Sequence, residues 1–410
     1  MSRRMARSFP VRWEWFCFSD EGPEVRTDER LQSLDALRGA DMLMITGFAG
    51  VVSAVCAALG APDCWLTEQF VHAPWRGLRF EDTIFPLFLF LSGATWPFSL
   101  AKSRARGMTT AAIVRKVLLR AFWLVVFGFT YAPFFRLDFA GNCWVTVLTH
   151  IGICWAAAAL IYLVVGDGRR RLAIAGGILL GYWALLRFVT APDQAALIGS
   201  TDPEVAKAVA GYAATGTDGF SFTGNLAGWV DRTFQPGSLY EVCHHADGLL
   251  AKIPGTVTAI LGMFAGDILR RTDIAGGRRT VWLLAAGGAC LALCLVGMPF
   301  CPVVKKIWTP TFVLGTAAYS FALLAAFYWI IDVKGYRGWA FFFRVIGVNA
   351  ITIYLMRRFI DFRHVSEFFL GGVAAALPDG WGPVLVAVGY VVAWWLVLLL
   401  FDRHKIYLKV

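Results

Sequence analysis

Two side chains that can exchange a proton stand ten residues apart, near the start of a long apolar run. His72 follows Gln-Phe-Val and precedes Ala-Pro-Trp, and Asp82 opens the apolar stretch that continues to Leu100. Histidine changes charge near neutral pH, so it can act as a general base or attack a carbonyl as an acyl acceptor. A neighbouring carboxylate can fix the imidazole tautomer and stabilise its charged form. These residues are the first catalytic candidates.

Both residues also have structural interpretations, which the local sequence leaves open. His72 lies two residues after Phe70 and three before Trp75, so it can be an interfacial histidine in an aromatic belt. Asp82 can be an N-terminal cap of the helix that follows. Titratable groups at the mouth of a membrane helix are costly to bury, however, and commonly mark chemistry or a pathway.

The composition sets the class of protein that must position these residues. Hydrophobic residues make up 58% of the 410 positions and charged residues 16%, which is too apolar for a water-soluble domain of this size. The sequence therefore predicts an all-α, polytopic transmembrane bundle. The net charge of +10 comes from short basic clusters between apolar runs, which set orientation in a membrane, and we do not expect nucleic-acid binding.

Ten apolar segments have about the length needed to cross the hydrocarbon layer. They are residues 37–59, 83–100, 113–133, 144–165, 172–190, 249–269, 281–299, 309–331, 339–356 and 383–401. Most of the 38 Lys and Arg residues then fall on one side, which the positive-inside rule assigns to the cytoplasm. Both termini are predicted to be cytoplasmic, and the His72 loop external.

The remaining segments complete a predicted domain plan. Residues 1–36 form a basic cytoplasmic leader, 37–401 the transmembrane domain and 402–410 a cytoplasmic tail. The longest connection, 191–248, carries too many polar groups to lie in lipid and is predicted to fold as an external cap. Four cysteines fall in external loops, where one or two disulfides are an option if that side is oxidising. They are Cys64, Cys143, Cys243 and Cys301.

Further polar residues stand in unusual places. Asn349 is an amide inside an apolar span, suited either to a helix-to-helix hydrogen bond or to a ligand or oxyanion contact. Lys305, Lys306 and Trp308 open a span from the external side, as interfacial anchors or as a clamp for an anionic group. His244, His245 and Asp247 lack a third nitrogen or sulfur ligand at the usual spacing, so we predict no metal site.

Several segments together resemble one family, the bacterial relatives of heparan-alpha-glucosaminide N-acetyltransferase. The most specific segment is the block from His72 to Pro86, which reads His-x-x-Trp-x-Gly and continues to Asp-x-x-x-Pro. Weaker similarities are Ser33–Gly39, Lys306–Leu314 and Asn349–Tyr354. Two departures occur, since Ala49 stands where the family has an active-site asparagine, and His-Ala-Asp-Gly replaces the Asp-Pro-Glu-Gly that is frequent in relatives.

The resemblance implies a membrane acyltransferase that takes acetyl-CoA from the cytoplasm and delivers the acetyl group to an amino sugar on the far side. By position, His72 matches the family's catalytic histidine, and Asp82 would orient it. We expect four residues to line the acceptor or thioester pocket: Trp75, Lys306, Trp308 and Asn349. Arg38 would contact the CoA phosphates, with helix anchoring as its structural alternative.

The resulting hypothesis is a multi-pass acyltransferase of the bacterial inner membrane. Its donor substrate is acetyl-CoA, its acceptor an amino sugar or glycan, its surroundings the lipid bilayer, and a homodimer is one option for its assembly. The main alternative is a transporter or flippase for a saccharide or lipid-linked intermediate, since ten spans with buried polar groups also suit translocation. A non-catalytic subunit with the same fold is a second alternative.

Overall fold

A computed structural model describes residues 31–131, 141, 143–239 and 241–408 of the chain. Most of the predicted leader lies outside these residues. Within them, the regular elements are helices, and strand-like pairing is limited to isolated bridges such as Thr190 with Asn225. The all-α fold predicted from the sequence is therefore confirmed.

Eighteen α-helices follow one another along the described chain. The first eight are α1 Gln32–Leu43, α2 Ala49–Ala58, α3 Trp65–Glu68, α4 Phe80–Ala94, α5 Trp96–Ala105, α6 Thr110–Tyr131, α7 Val147–Val164 and α8 Gly168–Phe188. The others are α9 Gln194–Ile198, α10 Pro203–Gly211, α11 Leu226–Phe234, α12 Lys252–Arg270, α13 Gly276–Gly297, α14 Pro310–Phe327, α15 Ala340–Val348, α16 Ala350–Phe359, α17 Phe362–Ala375 and α18 Trp381–Arg403.

Eight helical stretches in the described part of the chain are long and apolar enough to cross a membrane. They are α1 with α2, α4 with α5, α7, α8, α12, α13, α14 with the turn after it, and α18. A ninth candidate is the pair α15 and α16, bent by 69°. The predicted span 113–133 corresponds to α6, which is 22 residues long but carries Arg115, Lys116 and Arg120 in its first half. Eight or nine candidate spans among the described residues thus compare with the ten predicted.

The helix α4, which has Asp82 in its first turn, packs closely against α12. A Cβ atom at Gly93 would collide with the backbone of Ala259, and one at Gly262 would collide with the backbone of Phe90. Small residues at such crossings let two helix backbones touch, which is a main source of helix association in membranes. The helix that bears Asp82 is therefore held in the centre of the bundle.

The segment predicted as a cap is folded, with α9, α10 and α11 connected by ordered loops. Its apolar residues, among them Phe220 and Phe222, pack with Trp75 and with Tyr182 and Leu186 of α8 in one buried cluster. The four cysteines considered for disulfides are free thiols in this arrangement. The cap rests directly on the loop that contains His72, so both contribute to the same site.

Candidate active site

His72 and Asp82 lie in contact, as the sequence predicted. Nδ1 of His72 is 3.0 Å from Oδ1 of Asp82. Asp82 is fully buried, whereas the His72 side chain is 53% exposed. When Nδ1 donates its proton to the carboxylate, the lone pair resides on Nε2, which can then accept a proton from a substrate.

Backbone amides hold Asp82 in place. Its Oδ2 accepts hydrogen bonds from the N–H groups of Ala73 at 3.2 Å and Arg79 at 3.0 Å. Arg79 directly precedes α4, so Asp82 caps this helix with one oxygen while its other oxygen faces His72. The structural and the catalytic interpretations of Asp82 are therefore compatible.

Lys305 completes this cluster; the sequence placed it in a predicted anchor or anionic clamp but did not select it as a site residue. Its Nζ lies 2.9 Å from Nδ1 of His72 and 3.4 Å from Oδ1 of Asp82. Burial lowers the pKa of Lys305, and the negative charge of Asp82 opposes this shift. The sequence signal for Lys305 was a pair of basic residues at the start of a span, on the side of the membrane that is otherwise poor in Lys and Arg.

The position of Lys305 depends on Trp308. Residues Lys305–Ile307 form a short 3₁₀ turn, and the N–H of Trp308 donates to the carbonyl of Lys305 at 2.9 Å. Trp308 has a φ of +46°, a left-handed conformation that is costly for a bulky residue and persists only where packing enforces it. The packing is present, since the fully buried indole stacks on His150 with ring centroids 4.6 Å apart.

The cluster opens on a cavity of about 650 Å³ between the bundle and the cap. Its walls come from α1, α4, α7, α16, the His72 loop and the cap. The polar residues that line it are His72, Glu81, Cys143, Thr146, Tyr212, Glu241, His245, Asp247, Lys305, Lys306 and Tyr354. The rest of the lining is mainly apolar, as is usual for a small-molecule site.

Lys306 lines this cavity but already has partners. Its Nζ lies 2.7 Å from Oε2 of Glu241 and donates to the hydroxyl of Tyr212 at 2.9 Å. Tyr212 and Glu241 both belong to the cap region. Lys306 thus joins the turn before α14 to the cap by an ion pair at the edge of the cavity.

The two predicted tryptophans are absent from the cavity lining. Trp75 is buried in the cap cluster, where its Nε1 donates to the carbonyl of Phe220 at 2.8 Å and its ring contacts His244. Trp308 lies behind Phe85, with ring centroids 5.4 Å apart. In this arrangement both residues hold the walls of the cavity in place.

Asn349 and Arg38 lie near the cavity without lining it. Asn349 occupies the bend between α15 and α16, donates to the carbonyl of Val345 at 3.1 Å, and has an Oδ1 without a hydrogen-bond partner in the described chain. The next residue, Ala350, does line the cavity. Arg38 lies 3.4 Å from Asp35 and one helical turn before Met42, a lining residue of α1.

The adjacent histidines of the cap take separate partners. His244 packs between Trp75 and Phe222, and Glu241 lies 3.4 Å from its Nε2. His245 faces the cavity with Nε2 3.0 Å from the sulfur of Cys143, while its Nδ1 accepts the N–H of Asp247. Burial lowers the pKa of His245 to about 4, so this ring is neutral at neutral pH.

Comparisons with known proteins agree with the resemblance of the motifs. No family model matches the chain. Human heparan-alpha-glucosaminide N-acetyltransferase is 27% identical over 360 residues, covering 80% of this chain and 52% of the human protein. The mouse protein of the same name is 26% identical over 378 residues, covering 82% and 55%. The chain spans about half the length of these curated relatives. It is a distant relative of the heparan-alpha-glucosaminide N-acetyltransferase family.

Proposed function

We propose that this protein is a membrane-embedded acyltransferase that moves an acetyl group from acetyl-CoA to an amino sugar or glycan. The observation that carries the proposal is the cluster of His72, Asp82 and Lys305 in the wall of a cavity large enough for a sugar and a thioester. Distant similarity to enzymes named as glucosaminide N-acetyltransferases supports the same reaction class.

In the proposed reaction, the acceptor attacks the carbonyl carbon of the thioester. The new bond to carbon forms as the carbon–sulfur bond breaks, Nε2 of His72 takes the acceptor proton, and that proton passes to the departing CoA thiolate. A covalent route through an acetyl group on the same nitrogen uses the same residues. Lys305 is placed to stabilise the negative charge that develops on the carbonyl oxygen.

The donor is proposed to enter from the cytoplasm and the acceptor from the outside. The positive-inside distribution of basic residues supports this sidedness. Arg38 belongs to the proposed donor path, because it precedes Met42 by four residues and therefore shares its face of α1. The cap, with its polar lining residues, would receive the acceptor. A bacterial inner membrane is the location that fits this arrangement.

The test is release of free CoA from acetyl-CoA by the purified full-length chain, with and without glucosamine. We expect acceptor-stimulated release by the wild type and its loss, by about 100-fold or more, in His72→Ala. His364→Ala on α17 is a matched control, since that histidine is exposed. Equal turnover by His72→Ala and the wild type would exclude histidine catalysis. A folded wild type without thioester-dependent turnover would instead favour a transporter.

A further inference from the structure

One buried carboxylate in the cavity has no use in the reaction proposed above. Asp247 is 8% exposed, lines the cavity, and its Oδ1 forms no hydrogen bond with any residue in the described part of the chain. A buried carboxylate oxygen without a donor is costly. Such a group calls for an explanation, and a ligand in the cavity can supply the missing donor.

Two other carboxylates at the same site are satisfied. Asp82 receives two backbone amides, His72 and Lys305. Glu241 receives Lys306 at 2.7 Å, and His244 lies 3.4 Å away. The lysines of the cavity are therefore already engaged, whereas Asp247 and Glu81 each have an oxygen without a partner in the described chain.

The backbone fixes Asp247 before any ligand arrives. Its N–H donates to Nδ1 of His245 at 3.0 Å, and its carbonyl accepts from Nζ of Lys252 at 3.0 Å. The following residues are held by Asp231 of α11, which accepts the N–H of Leu249 at 2.8 Å. A carboxylate held in this way loses little freedom when it binds a cation, which favours affinity.

We propose that Asp247 binds the ammonium group of the acceptor and so selects amine-bearing sugars over neutral ones. The proposal rests on the acyltransferase function and adds the residue that recognises the acceptor. An ammonium group supplies three donors and a positive charge, the chemistry that the free oxygen of Asp247 lacks. Because His72 lines the same cavity and is half exposed, its ring can take the first ammonium proton and release it to solvent before the attack, and then take the second proton as the bond to carbon forms.

The groups around Asp247 act on its protonation state. Burial raises the pKa of Asp247, and the positive charges of Lys305 and Lys252 oppose this shift. A bound ammonium would also lower the pKa of Asp247 and favour the charged carboxylate.

The experiment compares binding of glucosamine and glucose to the full-length chain in detergent, by calorimetry in the presence of CoA. We expect the wild type to bind glucosamine on the order of 10- to 100-fold more tightly than glucose. Asp247→Asn, which keeps the shape and removes the charge, should lose this preference, and Asp247→Glu should retain most of it. His72→Ala should keep the preference, because binding precedes proton transfer.

Two outcomes would overturn the assignment. Asp247→Asn could retain the preference for glucosamine, or the preference could disappear in Glu81→Gln instead, whose Oε2 is the other unpartnered carboxylate oxygen of the cavity among the described residues. Because binding is measured without turnover, the two proposals can fail separately. A glucosamine preference that depends on Asp247, without any CoA release, would leave this inference standing and remove the acyltransferase function.

Discussion

Two apolar-walled cavities in the described part of the chain differ in what their charged groups do. The cavity of about 650 Å³ beneath the cap contains the His72 cluster and two carboxylates with an unpartnered oxygen. A groove of about 1,080 Å³ lies between α8, α12, α13 and α14, and its charged lining residues are Asp267 and Arg271. Both of these are paired, Asp267 with Arg171 and Arg271 with Asp273.

The difference shows that size alone is a poor guide to a site within a membrane bundle. Apolar clefts between helices are expected wherever lipid can complete the packing, since lipid tails and side chains are equally apolar. Charged groups with unused hydrogen-bonding capacity are expensive in the same environment. The smaller cavity is the candidate active site because it contains a half-exposed histidine and two carboxylates with an unpartnered oxygen.

Among the variants of the two cavities, Asp82→Asn is expected to lower the kcat for CoA release most. The amide can no longer stabilise a protonated His72, although its oxygen can still accept the backbone N–H groups that Asp82 binds. We expect the kcat for CoA release to fall on the order of 10²- to 10⁴-fold. An unchanged thermal unfolding midpoint would separate this loss from misfolding.

A nearly unchanged rate for Asp82→Asn would contradict the catalytic interpretation. It would reduce Asp82 to a cap of α4, the role that its hydrogen bond from Arg79 already supports.

Two adjacent lysines allow a smaller and more specific test. Lys305 contacts His72, whereas Lys306 pairs with Glu241 of the cap. We expect Lys305→Met to lower kcat by about 10- to 100-fold, since it removes a positive charge beside the reacting groups. Lys306→Met should act mainly on stability, because it leaves Glu241 without its ammonium partner.

The measurement is kcat together with the thermal unfolding midpoint for both variants. If Lys306→Met lowered kcat while Lys305→Met lowered only the unfolding midpoint, the roles would be exchanged. The anionic clamp predicted from the sequence would then be Lys306 after all.

The local part of this site was predictable from sequence, and the long-range part was not. His72 and Asp82 are close in the chain, and Asp82 lies at a helix start, so one loop suffices to join them. Lys305 approaches His72 across 233 positions of sequence, and only the packing of α14 beside α4 brings it there. Hydropathy indicates that both helices cross the membrane but not that they are neighbours.

Trp75 illustrates the same limit. Its place beside His72 in a specific motif favoured a substrate contact, yet its ring lies in the cap cluster with Phe222 and Tyr212. A tryptophan can belong to a motif because it fills a buried cluster, just as it can because it contacts a ligand. The sequence of one chain does not distinguish these uses, because the cap residues that enclose Trp75 lie more than one hundred positions away.

The smallest change in CoA release is expected for a substitution in the groove between α8, α12, α13 and α14. Gly176 and Gly177 of α8 both have open space around the position of a Cβ atom, but only Gly176 is among the groove-lining residues. Gly176→Phe should fill part of the groove, and Gly177→Phe is its matched control. We expect both to change acceptor-stimulated CoA release by less than about twofold, as for substitutions that touch no functional group. If Gly176→Phe alone lowered kcat tenfold, the groove would take part in transfer. Substrate entry through the bilayer would then have to be considered alongside entry beneath the cap.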